Sequence, residues 1–164
     1  MLTTTIQQDV ATLAKKAIAL NYQISCAESC TGGGLAFALT SIAGSSTWFK
    51  QSYVTYSNEA KHELLGVDQR ILAQHGAVSS QTVEAMAQGC ANRSSADISL
   101  SISGIAGPGG GSEKKPVGLV WFGVCHQGKL LCEKQIFSGD RHQVREQAIE
   151  FALKMLLQQL ELKE

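Results

Sequence analysis

Residues 22–44 of the chain have the sequence YQISCAESCTGGGLAFALTSIAG, and this stretch decides the fold. Its first part alternates apolar and polar side chains and predicts a β-strand over 22–27, while a later apolar run predicts a helix over 35–42. Between the two, Ser29 stands close before three glycines, which allow a tight turn and the close approach of another molecule. We expect the first turn of the helix to present unpaired N–H groups, which suit an anion or a developing oxyanion.

Ser29 has two interpretations at this point. It is either a nucleophile beside its own oxyanion hole or a residue that caps the helix, because serine is a common helix cap. The stretch by itself leaves both interpretations open.

The composition indicates an ordinary globular domain. The 164 residues suffice for one domain, and the apolar fraction is 44% with 17% charged residues. A net charge of zero gives no support for a nucleic-acid or membrane partner, and neither a membrane-spanning run nor a signal peptide is recognisable. Five cysteines without a C-x-x-C pair predict reduced thiols in the cytoplasm, and four scattered histidines make a metal site unexpected.

The remaining chain predicts an alternation of helices and strands. Strands are expected at 48–56, 97–103, 117–126 and 130–137, and the last two form a hairpin. Helices are expected at 6–18 with a stop at Asn21, at 35–42, 58–65 and 68–74, from 78 onwards, and from 140 to the C-terminus. The pattern predicts one α/β domain over residues 1–164, a three-layer α/β/α sandwich with a mixed, mostly parallel sheet.

Polar residues that end the predicted strands are candidates for chemistry. Ser29, Tyr56 and Ser103 each end a strand, and we expect such ends to meet at one edge of the sheet. Because no convincing Ser/His/Asp set is present, Lys61 is the available base, provided that burial or positive neighbours lower its pKa from about 10.4. The alternatives are a solvated helix lysine for Lys61 and simple packing at the rim for Tyr56.

The segment 104–116, GIAGPGGGSEKKP, is called the glycine loop below. It contains five glycines and both prolines of the chain, and a loop of this length is more often functional than idle. Its N–H groups can cradle a phosphate or carboxylate, or it can be a solvent-exposed flap, and it matches neither a P-loop nor G-x-G-x-x-G. Further on, Arg141 and Arg145 share one helix face. They bind an anion or decorate the surface together with Asp140 and Glu146, and the surface interpretation is normally favoured.

Several motifs in combination resemble one family, the CinA C-terminal-domain family. They are AESCTGG, GSSTWF, VTYSNEAK, GAVS, SGIAGPGGG and GDRHQVR, and the resemblance extends from about residue 8 to 158. The chain looks like the short, stand-alone form without an N-terminal domain. The resemblance implies a three-layer fold, a homodimer, and hydrolysis of nicotinamide mononucleotide to nicotinic acid mononucleotide and ammonia, with no metal or cofactor.

The resemblance also implies roles for individual residues. Ser29 is the implied nucleophile, Lys61 the general base and Tyr56 a further catalytic residue. Oxyanion or substrate contacts are implied for Cys30, Thr31, Gly32, Gly33, Ser103, Gly104 and Arg145. At position 34, where a bulkier residue often follows two glycines in the family, this chain has a third glycine, which weakens the helix start by about 1 kcal/mol.

Two other hypotheses stay open from the sequence. The nucleophile can be Cys30 with His142 or His62 as its base, because a thiol is intrinsically more nucleophilic than a hydroxyl. Alternatively, the same glycine turns can serve a non-catalytic module that binds a pyridine nucleotide.

Overall fold

A five-stranded sheet with helices on both faces makes up the computed structural model, which describes residues 1–161. The strands are β1 (Ile24–Glu28), β2 (Phe49–Val54), β3 (Ile98–Gly104), β4 (Leu119–His126) and β5 (Lys129–Ile136). The helices are α1 (Thr4–Leu20), α2 (Gly34–Leu39), α3 (Asn58–Leu65), α4 (Gln69–His75), α5 (Ser80–Ser94) and α6 (Arg141–Glu161).

The strand order across the sheet is β2-β1-β3-β4-β5. β1 pairs in parallel with β2 and β3, whereas β4 pairs antiparallel with both β3 and β5. The sheet is therefore mixed, as predicted. Four of its five strands run in one direction, as predicted, and β4 runs against them, so two of the four pairings are parallel.

The three-layer α/β/α arrangement is confirmed. α1, α2 and α6 cover one face of the sheet, and α3, α4 and α5 cover the other. β3 shows why the faces differ, since Ile98, Leu100 and Ile102 enter the larger apolar core. The serines between them point to α5, where the buried hydroxyls of Ser99 and Ser101 donate to helix carbonyls. A small polar side chain at these positions lets the helix backbone pack closely on the strand.

Several predicted boundaries are confirmed. α1 stops at Asn21, which adopts the left-handed conformation with φ 54°. The side chain of Ser57 caps α3 by accepting from the N–H of Ala60, and Ser79 caps α5 through Thr82 in the same way. None of the helices within residues 1–161 combines the length and apolar character needed to cross a membrane.

Two predicted boundaries need correction, and a third lies partly outside the described residues. α2 ends at Leu39 and not near residue 42, since the backbone of Thr40 departs from helical geometry (φ −91°, ψ 2°). The Thr40 hydroxyl donates to the carbonyls of Ala36 and Phe37 at this end of the helix. β2 ends at Val54, so Tyr56 lies beyond the strand. The helix predicted to run to the C-terminus is confirmed to residue 161, and its last part, 162–164, lies outside the described residues.

Candidate active site

The candidate site lies at the edge of the sheet where the parallel strands β1, β2 and β3 end. The N–H of Ser29 donates to the carbonyl of Ile102 (2.9 Å), which extends the β1–β3 pairing by one residue. Ser29 thus lies beside Ser103 at this edge, as the sequence predicts. Ser29 is 8% exposed and Ser103 is 1% exposed, so the nucleophile candidate lies at the boundary between core and solvent.

Glu28 holds the segment around Ser29, residues 28–36, which we call the nucleophile turn. The Glu28 side chain is fully buried. Its carboxylate accepts hydrogen bonds from the Thr31 hydroxyl (2.6 Å) and from the N–H groups of Gly33 (3.2 Å), Leu35 (3.0 Å) and Ala36 (2.8 Å). A buried carboxylate is costly unless it is hydrogen-bonded, and here its negative charge also faces the positive end of α2.

This contact corrects one sequence prediction. The N–H groups in the first turn of α2 are not unpaired, because Glu28 accepts from them. Of the four implied oxyanion donors, Gly33 donates to Glu28 and Gly32 donates to the Ser29 carbonyl (3.0 Å). No backbone or side-chain oxygen within residues 1–161 accepts from the N–H groups of Cys30 and Thr31.

Arg145 on α6 holds the nucleophile turn from the opposite side. Its Nε donates to the carbonyl of Cys30 (3.1 Å), and its second guanidinium nitrogen donates to the carbonyl of Thr31 (3.0 Å). In a trans peptide the N–H points away from the preceding carbonyl. Because Arg145 holds the Cys30 carbonyl, it also fixes the direction of the Thr31 N–H, away from the guanidinium.

Lys61 extends from α3 to Ser29. Its Nζ lies 3.0 Å from the Ser29 Oγ and 2.8 Å from the carbonyl oxygen of Thr55. Lys61 is only 1% exposed, which rules out a solvated helix lysine. Burial lowers the pKa of Lys61 from 10.5 to about 8, because an ammonium loses its hydration there. The Nζ donates to the carbonyl of Thr55 and, as an ammonium, also to the Ser29 hydroxyl. Once Lys61 is neutral, it can still donate one N–H to Thr55, and its lone pair can then accept from the Ser29 hydroxyl.

Tyr56 lies at the rim of the site and not between Lys61 and Ser29. Its side chain is 60% exposed, and its hydroxyl accepts a hydrogen bond from Arg141 (3.0 Å). The same guanidinium donates to the carbonyl of Gly107 in the glycine loop (2.9 Å). Arg141 therefore ties the loop to the segment after β2, while Arg145 binds the nucleophile turn. The interpretation as surface decoration is wrong for Arg145, which is half-buried, whereas Arg141 is exposed but makes these two contacts.

The glycine loop begins in the core and continues into solvent. A Cβ on Gly104 would approach the Leu119 carbonyl oxygen to 2.8 Å, so a glycine is needed where the loop leaves the sheet. Ala106 and Gly107 are buried, whereas residues 108–114 are exposed. Lys115 closes the loop on the α4 side by donating to the carbonyl of His75 (2.6 Å).

Comparison with known proteins assigns the chain to a family. Residues 6–160 match the model of the family described as CinA, the CinA C-terminal domain. The chain belongs to the CinA C-terminal domain family. It is 56% identical over 142 residues to a protein of Enterobacter agglomerans named nicotinamide-nucleotide amidohydrolase PncC, covering 86% of this chain and 87% of that protein. The protein of the same name from Escherichia coli K12 is 54% identical over 137 residues, or 83% of each chain.

Solved structures of the CinA family share the fold over nearly the whole chain. The competence/damage inducible protein CihA of Agrobacterium tumefaciens superposes with a TM-score of 0.95 at 40% identity, covering 98% of both chains. A CinA superfamily protein of Escherichia coli gives a TM-score of 0.91 at 36% identity, covering 97% of this chain and 94% of that one.

The thiol alternative for this CinA-family site has little support from the geometry. Burial raises the pKa of the Cys30 thiol to about 11, so the reactive thiolate is scarce at neutral pH. Neither candidate base contacts Cys30 within the described residues. His62 Nδ1 lies 2.8 Å from the Val67 carbonyl, and His142 lies 3.5 Å from the Glu146 carboxylate. Nor do residues 1–161 contain a group of three or more side chains suited to a metal ion.

Sequence reasoning missed three parts of the site. Glu28 carries a readable signal, because a carboxylate that ends an apolar strand needs donors, and Thr31 and the glycine N–H groups follow at once. The carbonyl of Thr55 carries no such signal in the sequence, since every residue has a backbone carbonyl. The separate contacts of Arg141 and Arg145 depend on where α6 lies against the two glycine-rich segments, and the i, i+4 spacing does not encode that.

Proposed function

We propose that this CinA-family protein hydrolyses the carboxamide of nicotinamide mononucleotide, with Ser29 as nucleophile and Lys61 as general base. The observation that carries the proposal is the buried Lys61 amine, with its lowered pKa, 3.0 Å from the Ser29 hydroxyl. The substrate is inferred from relatives that bear the name nicotinamide-nucleotide amidohydrolase at 54–56% identity. The products are nicotinic acid mononucleotide and ammonia.

Acylation begins with the neutral amine of Lys61. The Ser29 Oγ attacks the carboxamide carbon while Lys61 takes the hydroxyl proton. A serine hydroxyl is a weak nucleophile without such a base. The Thr55 carbonyl holds the amine in place by accepting one of its N–H groups (2.8 Å), so that the lone pair is available to Ser29.

The negative charge that develops on the carboxamide oxygen needs donors. We assign this role to the N–H groups of Cys30 and Thr31, because those of Gly32 and Gly33 donate within the turn. Each oxyanion donor contributes roughly 3 kcal/mol in acyl-transfer sites. Glu28 and Arg145 keep the two N–H groups in place without touching the substrate, which makes both positioning residues in this scheme.

Collapse of the tetrahedral intermediate breaks the C–N bond. The protonated Lys61 gives its proton to the leaving nitrogen, which departs as ammonia, and the acyl group remains as an ester on Ser29. Lys61, neutral again, then takes a proton from a water molecule that attacks this ester. When the bond between the acyl carbon and the Ser29 Oγ breaks, Lys61 returns this proton to the Oγ, and the acid product leaves.

Ser103 and Gly104, beside Ser29 at the end of β3, are proposed as contacts to the substrate or its proton network, and Tyr56 as a contact at the rim. We further propose that the chain acts as a single domain over residues 1–164 and as a cytoplasmic homodimer. Sedimentation of the purified protein tests the oligomeric state.

Incubation of the purified chain with nicotinamide mononucleotide tests the function directly. We expect equimolar ammonia and nicotinic acid mononucleotide from the wild type, loss of both products with Ser29→Ala, and retained activity with Cys30→Ala. Inactivity of Cys30→Ala together with an active Ser29→Ala would assign the reaction to the thiol. Saturable binding of the nucleotide without ammonia would identify a binding module instead of an enzyme.

A further inference from the structure

We propose that Arg141 binds the phosphate of the nucleotide and makes the site selective for a mononucleotide over the corresponding nucleoside. This inference rests on the proposed function and concerns the same site. It assigns phosphate recognition to the arginine that the family resemblance leaves without a role, and it gives Arg145 a different task.

Arg141 lies between the two segments that frame the catalytic pair. Its guanidinium joins these segments through the Tyr56 hydroxyl (3.0 Å) and the Gly107 carbonyl (2.9 Å). Tyr56 directly follows Thr55, whose carbonyl holds the amine of Lys61. Gly107 lies three residues beyond β3, the strand that pairs with Ser29. The guanidinium therefore lies at the mouth of the site.

The charge of Arg141 suits an anion. Both partners are neutral oxygens, and none of the ion pairs formed by residues 1–161 involves this side chain. The neighbouring carboxylate of Asp140 caps α6 by accepting from the N–H of Gln143 (2.9 Å). A guanidinium has five N–H donors in a planar fork, and most of those on Arg141 are unused by the described contacts. The residue is exposed, so an anion can reach it.

Arg145 is bonded differently from Arg141. Arg145 is half-buried and donates from two of its nitrogens to carbonyls of the nucleophile turn. Turning it towards a phosphate would release the Thr31 peptide, whose N–H is the proposed oxyanion donor. Arg141 can rearrange without disturbing that peptide.

The proposed ligand carries two charged groups that suit this part of the site. A phosphate accepts two parallel hydrogen bonds from a guanidinium, and such charge-assisted bonds are roughly twice as strong as bonds to neutral acceptors. A phosphate therefore competes well with the tyrosine hydroxyl and the loop carbonyl. Nicotinamide mononucleotide also has a cationic pyridinium ring, and the exposed face of Tyr56 beside Arg141 is suited to it.

The test compares nicotinamide mononucleotide with nicotinamide riboside, which lacks the phosphate. We expect Arg141→Met to lower kcat/KM for the mononucleotide by roughly 10- to 100-fold, mainly through KM, and to leave kcat/KM for the riboside unchanged. Arg141→Lys, which keeps the charge but loses the fork, should fall between the two. Arg93→Met is the matched control, because Arg93 is exposed in the last turn of α5 and away from the contacts of the site.

The other possible results also support or overturn the role of Arg141. An equal loss for both substrates would show that Arg141 only positions the glycine loop, and an unchanged KM for the mononucleotide would show that phosphate recognition lies elsewhere. Either result overturns the proposal. If the wild type hydrolyses neither compound, the proposed function fails, and calorimetric titration with the mononucleotide still decides. Weaker binding by Arg141→Met supports the role of Arg141 in that case, and equal binding overturns it.

Discussion

Two glycine-rich segments meet at the candidate site, and their bonding differs sharply. The nucleophile turn is held from inside by four hydrogen bonds to the buried Glu28 and from outside by two from Arg145. The glycine loop is paired with the start of β4 at its two ends, where the N–H of Ile105 donates to the Leu119 carbonyl and the N–H of Leu119 donates to the Pro116 carbonyl. Between these ends it is solvent-exposed over residues 108–114, and Arg141 and Lys115 add single side-chain contacts. A similar composition thus serves two purposes. One segment holds Ser29, the proposed nucleophile, and the other is the segment to which we assign space for a ligand.

The largest effect should come from removing the base that faces the fixed segment. We expect Lys61→Met to lower kcat for nicotinamide mononucleotide by at least about 1000-fold, because Ser29 then has no proton acceptor. Steady-state ammonia release measures this loss. Lys154→Met, a change at an exposed lysine of α6, is the matched control and should retain wild-type activity. A Lys61→Met enzyme within tenfold of the wild type would exclude Lys61 as the base.

The next largest effect should come from replacing a carboxylate in each of the two segments and comparing the free energies of unfolding. We expect Glu28→Gln to lower the free energy of unfolding by about 2–4 kcal/mol, because an amide donor then faces buried N–H groups. Glu113→Gln, in the exposed part of the glycine loop, should change it by less than about 0.5 kcal/mol. Urea denaturation measures both values. Equal effects would mean that the nucleophile turn is not held by its carboxylate.

Lys61→Met should also stabilise the fold at neutral pH. The pKa of Lys61 is lower in the folded protein (about 8) than in the unfolded chain (near 10.5), so the unfolded state binds more protons between these values. Burial of the ammonium therefore costs stability in full below pH 8, and this cost fades as the pH rises to 10.5. We expect a gain of about 1–3 kcal/mol at pH 7 that shrinks towards pH 10. Urea denaturation at the two pH values checks the trend, and a gain that grew with pH would contradict it.

Replacing one glycine of each segment by alanine should give the smallest difference in stability between the two segments. Gly33 has φ +95°, a conformation that strains any L side chain, so Gly33→Ala should cost about 1–2 kcal/mol. No atom lies within 4 Å of a Cβ on Gly109, whose φ is not positive, and Gly109→Ala should cost less than about 0.5 kcal/mol. Thermal unfolding compares the two variants. A larger loss at Gly109 would show that the loop is packed more tightly than its exposure indicates.

The sequence predicted the fold well because local signals dominate it. Left-handed Asn21, the serine caps and the alternating strands each lie where the residue chemistry requires them. The motifs also predicted that Ser29 and Lys61 belong to one site, because parallel strands end at a common edge and α3 begins beside it. These inferences depend on neighbours in the chain or on strand order alone.

The parts that sequence reasoning missed depend on distant contacts. Glu28 occupies the helix N–H groups that were expected to be free, and a local reading of the turn does not show which acceptor wins. Arg141 and Arg145 have the same residue type and face. Their contacts differ because the two arginines lie one helical turn apart on α6. At that spacing Arg141 reaches the glycine loop, and Arg145 reaches the nucleophile turn.

The most direct test of the catalytic pair is the pH profile of kcat/KM for nicotinamide mononucleotide between pH 6 and 9.5. The account predicts a rise of about tenfold per pH unit below pH 8 and a plateau above it, because only the neutral amine of Lys61 accepts the Ser29 proton. At pH 7 about a tenth of the enzyme then carries the neutral amine. A profile that is flat through pH 8, or that falls as Lys61 loses its proton, would contradict the claim that an uncharged lysine activates the serine.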